Sequence, residues 1–234
     1  MESEARLYHQ IAGEYDVVIK TIEVAPAHCF DLLMVKDADA LLDKIDPEAF
    51  KRDERLPYWA ELWPASVALA EHLLSCPMPC NARVLELGCG LGLPAVVAAR
   101  SGCTVLATDY EETALKFARY NAARNGVSDR IAFQFLDWRT ADPEERFSHV
   151  IASDIWFDKG HIPHLLRLVD RALQDGGTLV ASDPGRWGIG PAFVEELVER
   201  GYDHWNTTIR VDLGRNPCCV QIHRLRRPPG QGVV

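Results

Sequence analysis

Three acidic residues, Glu86, Asp109 and Asp137, stand at or near the ends of three successive apolar runs, "RVLEL", "TVLATD" and "IAFQFLD". Between the first and second runs lies Gly88-Cys89-Gly90-Leu91-Gly92. Glycines at a strand-to-helix junction let the backbone bend sharply, and they let a ligand approach where a Cβ would stand in the way. A carboxylate at the next strand end, Asp109, can accept both hydrogens of a ribose diol. Asp137 in "FLDW" suits the exocyclic amine of an adenine, and Trp138 can flank the ring. The pattern is that of a nucleoside-bearing ligand held past the carboxyl ends of parallel strands.

Two ligand types compete for this geometry. A dinucleotide asks for G-x-G-x-x-G with a helix N-terminus facing its pyrophosphate. Here the glycines are Gly88, Gly90 and Gly92, and Leu93 occupies the place of the third dinucleotide glycine. Glu86, two residues before the first glycine, would repel a pyrophosphate, whereas it serves beside a cationic methionine moiety. E-x-G-x-G-x-G resembles motif I of class I S-adenosylmethionine-dependent methyltransferases.

The resemblance widens when "LPYWAELWPAS", "LELGCGLGLP", "TDY", "LDW" and "SDIWFD" are taken together. In combination, from about Arg55 to Ala181, these segments resemble methyltransferase family 16. That group of seven-strand enzymes methylates lysines, and more rarely other residues, in specific non-histone proteins. The resemblance implies S-adenosyl-L-methionine as cofactor and S-adenosyl-L-homocysteine as product. It implies a cofactor pocket that includes Trp63, Cys89, Tyr110 and Ser153 beside the glycines and acids already named. It also implies an acidic-x-x-aromatic motif after the fourth strand, here Asp154-Ile155-Trp156-Phe157. Most members end that motif in tyrosine; this chain has Phe157, so any role for a tyrosine hydroxyl is absent or moved. A narrower likeness lies in Asp183-Pro184-Gly185-Arg186. It resembles the D-P-G-R of the subgroup acting on the electron-transfer flavoprotein β subunit, although Asp-Pro-Gly is also a common turn.

On this reading Asp154, Trp156 and Phe157 are the catalytic candidates, and Glu61 and Arg186 stand at the substrate rim, with Tyr58 and Trp59 as rim or core. A lysine has a reference pKa of about 10.4, so roughly one in several thousand is neutral at pH 7. Asp154 is expected to position the amine rather than deprotonate it, since its charge raises the amine's pKa. The alternatives are a small-molecule N- or O-methyltransferase, with the same cofactor half and a different rim, and a cofactor-binding module without catalysis.

The surrounding pattern must supply a scaffold. From Arg83 onward strand-like and helix-like segments alternate, which predicts β-α-β units and a doubly wound, Rossmann-like α/β sheet. The resemblance adds that the sheet has seven strands, mostly parallel, with the last antiparallel. "YDVVIKTIEV" and "FDLLMVK" predict an N-terminal β-hairpin, followed by a charged, helix-prone stretch. The expected organisation is an extension over 1–55, a methyltransferase domain over 56–228 and a flexible tail over 229–234.

Composition is that of a folded globular protein, with 47% hydrophobic and 25% charged residues. A net charge of −9 argues against a nucleic-acid surface. No apolar run approaches the roughly 18 residues of a membrane span, and the polar N-terminus lacks the order of a secretory signal. The seven cysteines are scattered without paired C-x-x-C spacing, so reduced thiols and a cytoplasmic setting are expected. His161 and His164 have near-helical spacing but no evident partner for a metal. The expected chain is a monomer meeting a protein substrate, without metal, membrane or nucleic acid.

Overall fold

The computed structural model describes residues 3–42, 56–186, 188–214 and 217–230. Helix α1 (Glu4–Glu14), strands β1 (Val17–Ala25) and β2 (His28–Val35) and the one-turn α2 (Asp39–Leu42) come first. The rest of the helix-prone stretch, 43–55, and the tip of the tail, 231–234, lie outside the described residues. Then follow α3 (Pro64–Ser75), β3 (Arg83–Leu87), α4 (Leu93–Arg100), β4 (Thr104–Asp109), α5 (Glu112–Arg124) and β5 (Ile131–Phe135). β6 (Phe147–Ser153), α6 (Ile162–Ala172), β7 (Leu173–Asp183), α7 (Gly190–Glu199), β8 (Asp203–Val211) and β9 (Cys218–Arg226) complete the chain.

Seven strands form one sheet in the order β5-β4-β3-β6-β7-β9-β8. All neighbours are parallel except β9, which runs antiparallel to both β7 and β8. The expected α/β class, the mostly parallel seven-stranded sheet, the antiparallel last strand and the N-terminal hairpin are all present. β3 is covered on both faces, and Val84, Leu85, Glu86 and Leu87 are buried. From β3 the chain winds one way to β4 and β5, then returns to lay β6 on β3's other side. That reversal opens a crevice at the carboxyl ends of β3 and its neighbours.

The hairpin shares a hydrophobic core with the sheet's helices, through Phe30, Leu32 and Leu33. Its outer edge is paired by side chains in place of a strand. Asn121 Oδ1 accepts from Leu33 N–H at 2.7 Å, and Asn125 Oδ1 accepts from Asp31 N–H at 3.1 Å. Their amide groups donate back to Leu33 O at 3.3 Å and Asp31 O at 2.8 Å. Residues four apart on a helix and two apart on a strand are both about 6–7 Å apart, so the spacings match. Asn121 Nδ2 also donates to Leu91 O at 2.9 Å, which ties hairpin and helix to the glycine loop. Asn121→Ala leaves buried backbone groups unpartnered and is expected to cost roughly 2–4 kcal/mol. Urea unfolding checks this, and a midpoint equal to wild type would refute it.

Two local expectations were incomplete. The polar start of the chain is the helix α1, capped at Ser3, with Leu7 and Ile11 buried at i and i+4. The helix over 162–173 was expected to end at Asp175-Gly176-Gly177 with the strand starting at Thr178, but β7 begins at Leu173 and carries Gly176 within it at φ +72. A Cβ on Gly177 would lie 2.8 Å from Gln174 O and 2.9 Å from Ser148 O, so close strand contact explains that glycine.

Candidate functional site

The glycine loop leaves β3 at Gly88 and enters α4 at Gly92. A Cβ on Gly92 would lie 2.9 Å from Ala118 Cβ on α5, so this glycine is required by helix packing. Gly90 has a different reason. Its φ is +51, nothing lies within 3.8 Å of where a Cβ would point, and it faces the crevice. Its N–H donates to Asp109 Oδ2 at 2.9 Å, while Glu111 N–H donates to Oδ1 at 2.9 Å. Asp109 therefore fastens the loop to the end of β4 and still faces the opening. Burial pushes its carboxyl up, and the Gly90, Glu111 and Tyr110 N–H groups pull it down.

Glu86 sits beneath the loop, fully buried, with neither carboxylate oxygen hydrogen-bonded. Burial raises its pKa well above the ordinary 4.5. The Ala95 N–H in the first turn of α4 pulls the other way without completing a hydrogen bond.

Above the loop opens a cleft of about 270 Å³ with an aromatic wall. Tyr110 meets Trp138 at 6.4 Å, Trp138 meets Phe157 at 6.1 Å, Phe157 meets Tyr58 at 6.0 Å, and Tyr58 meets Trp63 at 6.1 Å. Trp63 is held by its indole N–H, which donates to Tyr58 O at 2.7 Å. His161 stands edge-on behind Trp138 and Phe157, at 5.5 and 5.4 Å, and burial pushes its pKa down.

At the other end of the cleft β6 delivers Ser153 and Asp154. Asp154 adopts φ +55, a left-handed conformation that aspartate tolerates better than most residues, and its N–H donates to Ser182 O at 2.9 Å. Its carboxylate contacts Arg186. Burial raises its pKa, Arg186 opposes that rise, and Asp183 adds to it. Asp183 Oδ1 accepts from Gly185 N–H at 2.9 Å, a turn that brings Arg186 back with its guanidinium 4.6 Å from the centre of the Trp63 ring.

Of the residues singled out from the sequence, the cleft gathers Glu61, Trp63, Gly88, Cys89, Gly90, Asp109, Tyr110, Trp138, Ser153, Asp154, Phe157 and Arg186. Burial holds the Cys89 thiol protonated by raising its pKa. Four stand outside the lining. Glu86 and Gly92 lie behind it, as described. The Asp137 carboxylate is gripped by Arg139, whose Nε and Nη2 lie 2.7–3.0 Å from its oxygens. Trp156 packs into the core against Phe193 and His223, at 5.1 and 5.6 Å, while Ile155 and Phe157 on either side of it line the cleft. Tyr58 and Trp59 both line the cleft. Leu62, Ser66, Leu91 and Ile155 also line it and carried no sequence signal, since an apolar or small side chain looks the same in a core and in a wall.

Comparison with known proteins agrees with this geometry. A family model described as lysine methyltransferase matches residues 50–198. The electron transfer flavoprotein beta subunit lysine methyltransferase of Xenopus laevis is 35% identical over 135 residues, 56% of this chain and 53% of that protein. The histidine protein methyltransferase 1 homolog of Dictyostelium discoideum is 29% identical, over 70% of this chain and 55% of that protein. The chain thus spans about half the length of these curated relatives. The N-methyltransferase NodS of Bradyrhizobium japonicum, solved with S-adenosyl-L-homocysteine, superposes with a TM-score of 0.57 at 17% identity. It covers 82% of this chain and 100% of its own, and at that identity it shows the fold. With most of its sheet and the whole cleft floor inside the matched residues, this chain belongs to the lysine methyltransferase family.

Proposed function

We propose that this chain uses S-adenosyl-L-methionine to methylate a lysine side chain of a specific protein. One observation carries the reading: a single cleft holds Asp109 and Gly90 at one end and Asp154, Trp63 and Phe157 at the other. The first end fits an adenosyl ligand. Asp109 presents a carboxylate on the floor, Gly90 presents backbone without a side chain, and Tyr110 and Trp138 offer ring faces. When bound, S-adenosyl-L-methionine supplies a sulfonium methyl that is already electrophilic.

The chain's own residues then have to hold and align the acceptor and keep water away. Asp154 attracts the incoming ammonium but, by its charge, keeps it protonated. Tyr58, Trp63 and Phe157 withhold water, which favours the neutral amine. Phe157 brings no hydroxyl, so no proton transfer passes through that position. The amine's proton leaves to water as the amine enters the apolar part of the cleft.

The test is transfer of labelled methyl from the donor to a cell lysate, followed by mass spectrometry of the labelled band. Label on a lysine supports the reading. Label on a histidine or on a small molecule, or no transfer despite binding of S-adenosylhomocysteine, overturns it. With the acceptor in hand, Asp154→Asn is expected to lower kcat/KM by about 10- to 100-fold, the size of a charge-assisted hydrogen bond. Most of that loss should fall on KM, with kcat recovering as pH rises toward 10. Complete loss of turnover across pH 7 to 10 with acceptor binding intact would refute a positioning role for Asp154.

A further inference from the structure

We propose that the Asp154 carboxylate and the Trp63 ring face together form the seat for the acceptor's cationic head, and that Arg186 is a built-in occupant which the acceptor displaces. This rests on reading the cleft as the acceptor site, and it assigns a role to Arg186 that a rim position alone does not. A cation over an indole face and beside a carboxylate is the arrangement that recognises ammonium groups. Here that arrangement is already filled. The Arg186 guanidinium contacts the Asp154 carboxylate and lies 4.6 Å from the centre of the Trp63 ring, and all three residues line the cleft.

The seat and its occupant differ in mobility. The Asp154 side chain is 10% exposed, and Trp63 is tied to Tyr58 O, so the receiving groups are fixed. The Arg186 side chain is 38% exposed, on a turn set by the Asp183–Gly185 hydrogen bond, and the space around Gly185 is open to 4 Å. Arg186 can therefore leave into water while Asp154 and Trp63 stay in place. Until an acceptor arrives, Arg186 keeps the largely desolvated carboxylate paired, as a buried charge requires. An acceptor must bring its own positive charge to take over that pairing. A neutral alcohol or amide would leave Asp154 unpaired and is selected against. The same competition limits how tightly any lysine binds.

The experiment uses the full chain saturated with S-adenosylhomocysteine and titrates n-butylammonium chloride at constant ionic strength, by calorimetry. In Arg186→Met and Arg186→Gln the competing charge is gone, and butylammonium is expected to bind about tenfold more tightly than to wild type, the size of one partly desolvated cation–π and ion-pair contact. Adding Asp154→Asn to either variant should remove the gain. Affinity that is unchanged or weaker in both single variants, with S-adenosylhomocysteine still bound, overturns the proposal. Loss of S-adenosylhomocysteine binding in both also overturns it, since Arg186 would then be a structural support. The activity reading fails separately: wild type would bind S-adenosylhomocysteine and transfer no methyl to any protein.

Discussion

Asp109→Ala is expected to weaken S-adenosylhomocysteine binding by at least about 100-fold, because two charge-assisted hydrogen bonds of roughly 1.5–3 kcal/mol each disappear from the cleft floor. The carboxylate acts twice. Its oxygens accept from Gly90 and Glu111 N–H at 2.9 Å each, which sets the loop, and it is placed to accept from a ribose diol. Alanine removes both functions and leaves two backbone donors without their acceptor. Asp109→Asn keeps one oxygen for the loop and should lose about tenfold, the worth of the missing charge-assisted acceptor. Calorimetric titration distinguishes the outcomes. Wild-type affinity in Asp109→Ala would exclude Asp109 from the cofactor site, and with it the proposed orientation of the ligand.

The second large effect concerns Glu86 and pH. Burial raises its pKa well above 4.5 in the folded chain, whereas the unfolded chain keeps the ordinary value. The folded state therefore holds a proton that the unfolded state has lost, and Glu86 favours folding below pH 4.5. That contribution declines as pH rises from there through the folded pKa, by at most about 1.4 kcal/mol per pH unit. Glu86→Gln does not titrate. Relative to wild type it is expected to gain stability as pH rises from 5 toward the folded pKa of Glu86, whatever its absolute stability at either end. The partly or fully buried histidines His72, His149, His161, His204 and His223 all have lowered pKa values and give the opposite slope, but they are common to both proteins and cancel in the difference. Chemical denaturation at four pH values measures it. A difference that stays constant over that range would mean Glu86 remains ionised in the folded chain.

The cleft's polar floor was legible because its chemistry is local. Gly88, Gly90 and Asp109 fall at strand ends that the apolar runs mark directly, and Asp154 follows the run that becomes β6. Asp137 was legible as an acid at a strand end, but its neighbour Arg139 claims the carboxylate, and only the folded structure shows that pair. Trp156 lies in the core, where the sequence did not place it. As one of two adjacent aromatics it carried the same signal as Phe157, and which of them faces a cleft depends on where the chain turns, here at the left-handed Asp154. The α1 helix was overlooked because Leu7 and Ile11 are two apolar residues in a polar run, and a single apolar pair gains meaning only against the α5 surface that covers it.

The sequence by itself determined the alternation of strands and helices from β3 onward, the glycine bend and the acids that close the strands. Those features are set by spacing of 2.0 and 3.6 residues and by backbone angles that few residue types adopt. Tertiary structure alone decided that Asn121 and Asn125 stand in for a strand against the hairpin. It alone decided too that Arg186, 32 residues beyond Asp154, returns to sit against it over Trp63. Such pairings join segments far apart in the chain, where local propensity is silent and only the packing of the whole sheet brings the partners within reach.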